Sequence, residues 1–149
     1  MNRSEIERIT LEFTKLFNDE DLNAVLSYFS EDAVYVEFNG IRHKGIAAIR
    51  AAFEPQFGGR FGKMTFYAED LLIDSETQKS LIRWTLTLEE EERQGAYRGL
   101  DILFFGGKKI VQKHTYCKAK VPLINKKSVM ISNGTWPKNG SARKLISPD

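Results

Sequence analysis

Residues 29–53, FSEDAVYVEFNGIRHKGIAAIRAAF, decide how this chain folds. Val34, Val36 and Phe38 alternate with Tyr35 and Glu37, the period-two pattern of a strand. Asn39-Gly40 is a turn signal. Gly45 then precedes Ile46, Ile49 and Phe53 at helical spacing, and Pro55 with Gly58-Gly59 stops that helix. The stretch therefore joins a helix end, a strand carrying one carboxylate (Glu37), a turn and a third helix.

Upstream, Ser4-x-x-Glu7 reads as a capping box. Ile6, Ile9, Phe13, Leu16 and Phe17 predict an amphipathic helix over residues 5–17. Asn18 to Asp21 interrupts it and caps a second helix with Leu22, Val25, Leu26 and Phe29 inward. Downstream, residues 63–73, 80–90, 96–106 and 109–119 are strand-like runs with short links, hence antiparallel neighbours in a meander. Ile82, Trp84, Leu86 and Leu88 share one face. In the next strand Tyr97, Gly99, Asp101, Leu103 and Phe105 face one way, and Arg98, Leu100, Ile102 and Phe104 the other. Helices before strands predict the α+β class, with three N-terminal helices on one face of a curved antiparallel sheet. A strand apolar on both faces needs two covers. The helices supply one, and a second copy of the sheet is the expected other, making a homodimer.

A chain of 149 residues can bury one good core. No apolar run approaches the ~20 residues that span a bilayer, and the polar N-terminus is not a signal peptide. The single cysteine, Cys117, rules out an intramolecular disulfide and points to a reducing, cytoplasmic setting. A net charge of +2 gives no reason to expect nucleic acid. The charge is uneven, however: residues 120–149 hold six Lys or Arg against one acid. Residues 1–119 read as the domain, and 120–149 as a basic extension with one strand near 128–132.

A second carboxylate, Asp101, interrupts the apolar run LDILFF. An acid there is either in a pocket or paired with a neighbour such as Arg83. Two carboxylates in one apolar pocket can divide labour: one near water takes a proton, one buried and neutral donates a hydrogen bond. The competing reading puts Glu37 in solvent, because Val34, Val36 and Phe38 already give its strand a buried face. His43 reads as a solvated loop residue, His114 as facing away from the pocket, and Cys117 as a packed thiol. Trp84, Phe105, Phe53, Phe57 and Tyr67 read as interior. Two distant histidines make no metal-ligand spacing, and no Gly-rich phosphate loop is present. No metal or cofactor is expected.

The chain resembles the NTF2-like superfamily, in the branch of SnoaL-like polyketide cyclases and ketosteroid isomerases. An amphipathic helix leads into NDEDL (18–22), then FSEDAVYVEF (29–38), GIAAIRAAF (45–53), LDILFF (100–105) and GKKIV (107–111). The resemblance covers residues 1–119. It implies a cone with a deep pocket between sheet and helices, a fold that hosts several activities. Carried over from the ketosteroid isomerases, Glu37 takes the place of the general base. Asp101 takes the place of a pocket acid that stays protonated and binds the oxyanion. Phe13 stands where that family has a tyrosine, so Tyr35 or Tyr97 would have to supply the hydroxyl. The epoxide hydrolase pattern departs further: Arg98 and Asp101 are three apart and point to opposite faces, and its last-strand acid is Thr115 here. The late acid of the polyketide cyclases has no counterpart in HTYCKA.

The expected function is binding of a small, mostly apolar or carbonyl-containing molecule, without nucleic acid or membrane. Phe13, Tyr35, Phe53, Trp84, Leu86, Tyr97, Leu103, Thr115 and Cys117 are the candidate walls. Glu37 and Asp101 are the candidate catalysts of proton transfer beside a carbonyl, in an isomerisation or aldol-type cyclisation. The alternative is a non-catalytic ligand-binding or dimerisation module.

Overall fold

The computed structural model describes residues 1–90 and 93–118. The elements are α1 (Arg3–Asn18), α2 (Leu22–Ser27), β1 (Phe29–Val36), β2 (Arg42–Lys44), α3 (Ile46–Phe57), β3 (Lys63–Asp74), β4 (Lys79–Glu90), β5 (Arg93–Gly106) and β6 (Lys109–Cys117). The strands form one sheet in the order β2-β1-β6-β5-β4-β3. The predicted meander runs from β3 to β6, all antiparallel. β1 joins it by pairing in parallel with β6. The expected basic extension, residues 120–149, lies outside the described residues, as does its strand near 128–132.

The core lies where the helices meet the sheet. Ile6, Ile9, Phe13 and Phe17 of α1, Val25 and Leu26 of α2, and Ile49 and Phe53 of α3 pack on Phe29, Ala33, Tyr35, Leu103, Phe105 and Ile110. Helices therefore cover one face of the sheet, the α+β arrangement expected. Aromatic rings dominate the contact: Phe13 meets Phe17 at 5.3 Å and Phe29 at 5.5 Å, edge to face, and Phe17 meets Phe53 at 5.4 Å. Such pairs add about 0.5–1.5 kcal/mol each beyond burial. One buried polar contact pins α1 to β4, the Thr10 hydroxyl bonding Ser80 Oγ at 2.8 Å.

Several boundaries differ from expectation. The capping box is Asn2 with Glu5, two residues before Ser4 and Glu7: Asn2 Oδ1 accepts from Glu5 N–H and Glu5 Oε2 from Asn2 N–H. The amino terminus, donating to Gln78 Oε1 at 2.7 Å, holds the helix start there. Phe29 opens β1 rather than closing α2. Residues 42–44 form a short strand, because the Asn39-Gly40 turn folds them back onto β1. Pro55 sits inside the last turns of α3, which runs on to Phe57. Tyr67 is on the outer face, 57% exposed, not interior.

Register shifts shape the sheet, one of them between Phe29 and Val34 where β1 meets β6. The ladder shifts between Ala68 and Asp70 of β3, which passes the inward role from Met64 and Phe66 to Leu71 and Ile73. A further shift leaves Val111 unpaired between Gln112 and Ile110, so Ile110 and Lys113 both turn inward. Bulges add twist and bend a strand. On the outer face Leu100, Ile102 and Phe104 are half-buried, and Leu72 and Tyr116 are exposed. No described helix is long and apolar enough to cross a membrane.

The sheet outreaches its helices. β4 has 12 residues and β5 has 14, against 16 in α1. At roughly 3.4 Å per strand residue and 1.5 Å per helix residue, the strands are longer by well over 10 Å. α1 starts level with Gln78, passes Ser80 at Thr10 and ends at Phe66, whose backbone N–H and C=O both bond the Asn18 side chain. Level with that point the inner face carries exposed Tyr97, with half-buried Cys117 one pair before it and half-buried Met64 and Leu88 beyond it.

Candidate functional site

Sheet register assembles the site. His43 of β2 pairs with Tyr35 of β1, Tyr35 with Lys113 of β6, and Lys113 with Leu103 of β5. One step along, Asp101 pairs with Thr115 and with Ile82. These residues point to the helix side, as the burial of Tyr35, Lys113, Leu103, Asp101 and Ile82 shows.

At the centre is a buried ion pair. Lys113 Nζ lies 2.7 Å from Asp101 Oδ1, with residue exposures of 4% and 7%. Thr115 Oγ1 accepts from the same ammonium at 2.6 Å and donates to Asp101 Oδ1 at 2.6 Å. Trp84 Nε1–H donates to Asp101 Oδ2 at 3.2 Å. All three groups that face Asp101 are donors, the complement of an ionised carboxylate, which has no proton to give. The resemblance implied an Asp101 donating to an oxyanion; here both of its oxygens are met by donors of the protein itself. Arg83, the partner expected, is on the outer face with Glu69 at 3.5 Å and Asp70 at 3.8 Å.

Trp84 reaches Asp101 only because its neighbour on β5 is Gly99. A Cβ built on Gly99 would lie 2.3 Å from Trp84 Cη2 and 2.4 Å from Tyr116 O. The indole thus lies flat across the strand where any larger residue would lift it.

The second half of the site is at the sheet's β2 edge. Glu37 follows β1 on the side of Ala33 and Tyr35, the buried side, so the solvent-facing alternative fails on parity. Phe38, expected inward, is 48% exposed. Glu37 Oε1 is 2.6 Å from His43 Nε2, and Oε2 accepts from Asn39 Nδ2 at 3.1 Å. His43 is thus a half-buried strand residue, not a solvated loop residue; the two side chains retain 20% and 22% exposure.

Tyr35 connects the halves. Its ring stacks on His43 at 5.7 Å and packs on Phe53 at 4.8 Å, and Lys113 Nζ lies 4.8 Å from its centroid. Burial pushes its phenol well above the ordinary tyrosine range; the Asp101 charge adds to this, the Thr115 hydroxyl opposes it, and Glu37 adds a little. Tyr35 therefore stays a neutral O–H donor.

The other candidates divide. Trp84 and Leu86 are buried on the inner face, and Thr115 and Cys117 are half-buried beside them. Burial raises the Cys117 thiol, which agrees with a packed group. Phe13, Phe53 and Leu103 are core, exposed by 2% or less. Tyr97 shares the Asp101 face but lies four residues along the strand, about 13 Å away, and is 45% exposed. His114 faces outward as expected, 5.0 Å from Phe104.

Lys113 is not singled out by the sequence, and His43, which from its place before the third helix could line the pocket mouth, reads there as a solvated loop residue. Lys113 alternates with Thr115, which is a usable signal, but the bulge at Val111 hides its phase with Ile110. For His43 the signal is the Asn39-Gly40 turn, which returns the chain antiparallel and sets residue 43 opposite residue 35.

Residues 11–113 match the model of the SnoaL-like domain. No curated protein matches the chain. Among solved structures, a candidate polyketide cyclase from Xanthomonas campestris pv. campestris superposes with a TM-score of 0.68 at 17% identity, over 78% of this chain and 92% of that one. SalBIII, an epoxide hydrolase/cyclase-like enzyme in pyran ring formation of the polyether salinomycin, gives 0.69 at 15%, over 78% and 93%. An NTF2-like protein of unknown function from Mesorhizobium loti gives 0.67 at 19%, over 80% and 95%. At such identities the likeness speaks for the fold, which is NTF2-like.

Proposed function

The chain belongs to the SnoaL-like domain family, and on that premise we propose that it binds a small, mostly apolar carbonyl compound and moves a proton beside the carbonyl. The observation that carries this reading is Tyr35, a neutral buried phenol flanked by an acid–imidazole couple and by an ammonium–carboxylate pair. Enolisation needs a base at the α-carbon and a donor at the oxygen. The Glu37–His43 couple suits the first role. Tyr35 suits the second and replaces the phenol that Phe13 lacks. Asp101 takes part by holding Lys113, whose positive charge beside Tyr35 favours negative charge on the ligand oxygen. The half-buried inner face at Met64, Leu88 and Cys117, beside exposed Tyr97, offers the apolar surface for the rest of the molecule. The proton is returned at another carbon in an isomerisation, or the enolate carbon attacks a second carbonyl in a cyclisation. Cyclase-like relatives of the same fold lend this reading support.

The test is deuterium wash-in at the α-carbons of small cyclic ketones, 1-indanone and 2-tetralone among them, followed by proton NMR. Catalysed exchange that falls at least tenfold in both Tyr35→Phe and Glu37→Gln is expected. Saturable ketone binding with no catalysed exchange would favour a binding module instead. The reading includes a second copy of the chain over the outer sheet face, favoured by exposed Tyr67, Leu72 and Tyr116 beside Ile102 and Phe104. Sedimentation of Ile102→Lys as a monomer and wild type as a dimer is the expected result.

A further inference from the structure

We infer that Nδ1 of His43 is the atom that takes the proton, and that Glu37 acts through His43 as a positioning residue. This deepens the proton-transfer reading and rests on it.

A carboxylate only accepts, so the 2.6 Å contact between Glu37 Oε1 and His43 Nε2 requires the hydrogen on Nε2. The lone pair is then on Nδ1, which has no hydrogen bond to any described residue. Glu37 is less free. Oε1 is occupied by His43 and Oε2 by Asn39 Nδ2. A base oriented by a carboxylate on its far nitrogen is a recurring arrangement, because the carboxylate fixes the tautomer and stabilises the imidazolium that forms. The ring is also held in place: it stacks on Tyr35 with a 25° interplanar angle. Tyr35 pairs with His43 across the two strands, and its neutral hydroxyl is the partner donor.

The charges around His43 are accounted for. β1 presents Tyr35, and Glu37 follows it, with Lys113 and Asp101 beyond Tyr35. Arg42 and Lys44, its neighbours on β2, are exposed. On α3, Arg50 is directed to Asn23 Oδ1 at 2.9 Å, and Glu54 is exposed. No other described carboxylate bonds the imidazole.

The step balances without a further reactant. The α-carbon gives its proton to Nδ1, the C–H pair becomes the enolate double bond, and the carbonyl π pair moves to oxygen, which accepts from the Tyr35 hydroxyl. Nδ1 later returns the proton.

The experiment uses the full chain and the ketone that wild type exchanges best. His43→Gln should lower the exchange rate at saturation about 100-fold, the scale of a lost general base, with ketone affinity within threefold. His43→Ala should regain exchange on addition of imidazole, which a loss of folding would not allow. Nitrogen-15 NMR of the free protein should show His43 protonated at Nε2 and bare at Nδ1, with the other tautomer appearing in Glu37→Gln. Full activity in His43→Gln, or a hydrogen on Nδ1, overturns the assignment and returns the base role to Glu37. No exchange of any ketone by wild type is a different failure, that of the proton-transfer reading, and the assignment falls with it.

Discussion

Asp101→Asn isolates the energetics of the buried pair. The asparagine matches the carboxylate in shape but removes the charge facing an ammonium that is 4% exposed. Its oxygen can still accept from one donor. Its NH2 must then face another, because Lys113, Thr115 and Trp84 all point donors at this side chain. Removing one partner of a buried ion pair costs about 3–5 kcal/mol, since the other charge stays buried alone. In a chain of this size about 2–4 °C of melting temperature accompanies each kcal/mol, so a fall of roughly 6–20 °C is expected. Thermal and urea unfolding followed by circular dichroism measure it. The double variant Asp101→Asn/Lys113→Met removes the stranded ammonium and should recover at least half of the loss, a coupling that independent sites would not show. An Asp101→Asn protein melting within 2 °C of wild type, or a double variant no more stable than Asp101→Asn, would refute the reasoning. If exchange activity survives in Asp101→Asn while stability falls, the acid serves the fold alone.

Three further outcomes follow from the structure. Gly99→Ala forces a methyl into Trp84 and the Tyr116 carbonyl; a loss of at least about 2 kcal/mol in urea unfolding is expected, and an unchanged midpoint would contradict the flat indole. Asn18→Ala leaves the N–H and C=O of Phe66 on the free edge of β3 without their partner, and chemical unfolding should register about 1–2 kcal/mol for the two bonds. Burial, then Arg42 and Lys113, hold the His114 imidazole below its usual range. The unfolded chain therefore takes up a proton near pH 6.5 that the folded chain resists, so stability is lost as pH falls below that value. His114→Gln should flatten the decline in urea midpoint between pH 7 and 5; an equal decline in both proteins would rule the histidine out.

Much of this architecture is written locally. The spacing of Ile6, Ile9, Phe13 and Phe17, the break at Asp21 and the alternation in β4 and β5 each depend on near neighbours, and they place α1, α2 and the meander within a few residues. The face of Asp101 was legible for the same reason. The partner of Asp101 was not, because Lys113 is brought inward by one unpaired residue, Val111. Nor was the pairing of Glu37 with His43, which depends on three residues returning along β1. Simple alternation also assigned β1 the wrong buried face: Val34, Val36 and Phe38 are more hydrophobic as a set, yet Ala33 and Tyr35 meet the helices. The sum of contacts made by a whole strand, and not the hydropathy of its side chains, chose the orientation.

The parallel contact of β1 with β6 sets a timetable for biosynthesis. A strand made early in translation can find its partner only after the ninth element has been made, so this pairing is non-local. Tyr35 consequently emerges long before Lys113, and the nascent chain holds an apolar seam open in the interval. The row that carries His43, Tyr35 and Lys113 is complete only when β1 and β6 have met.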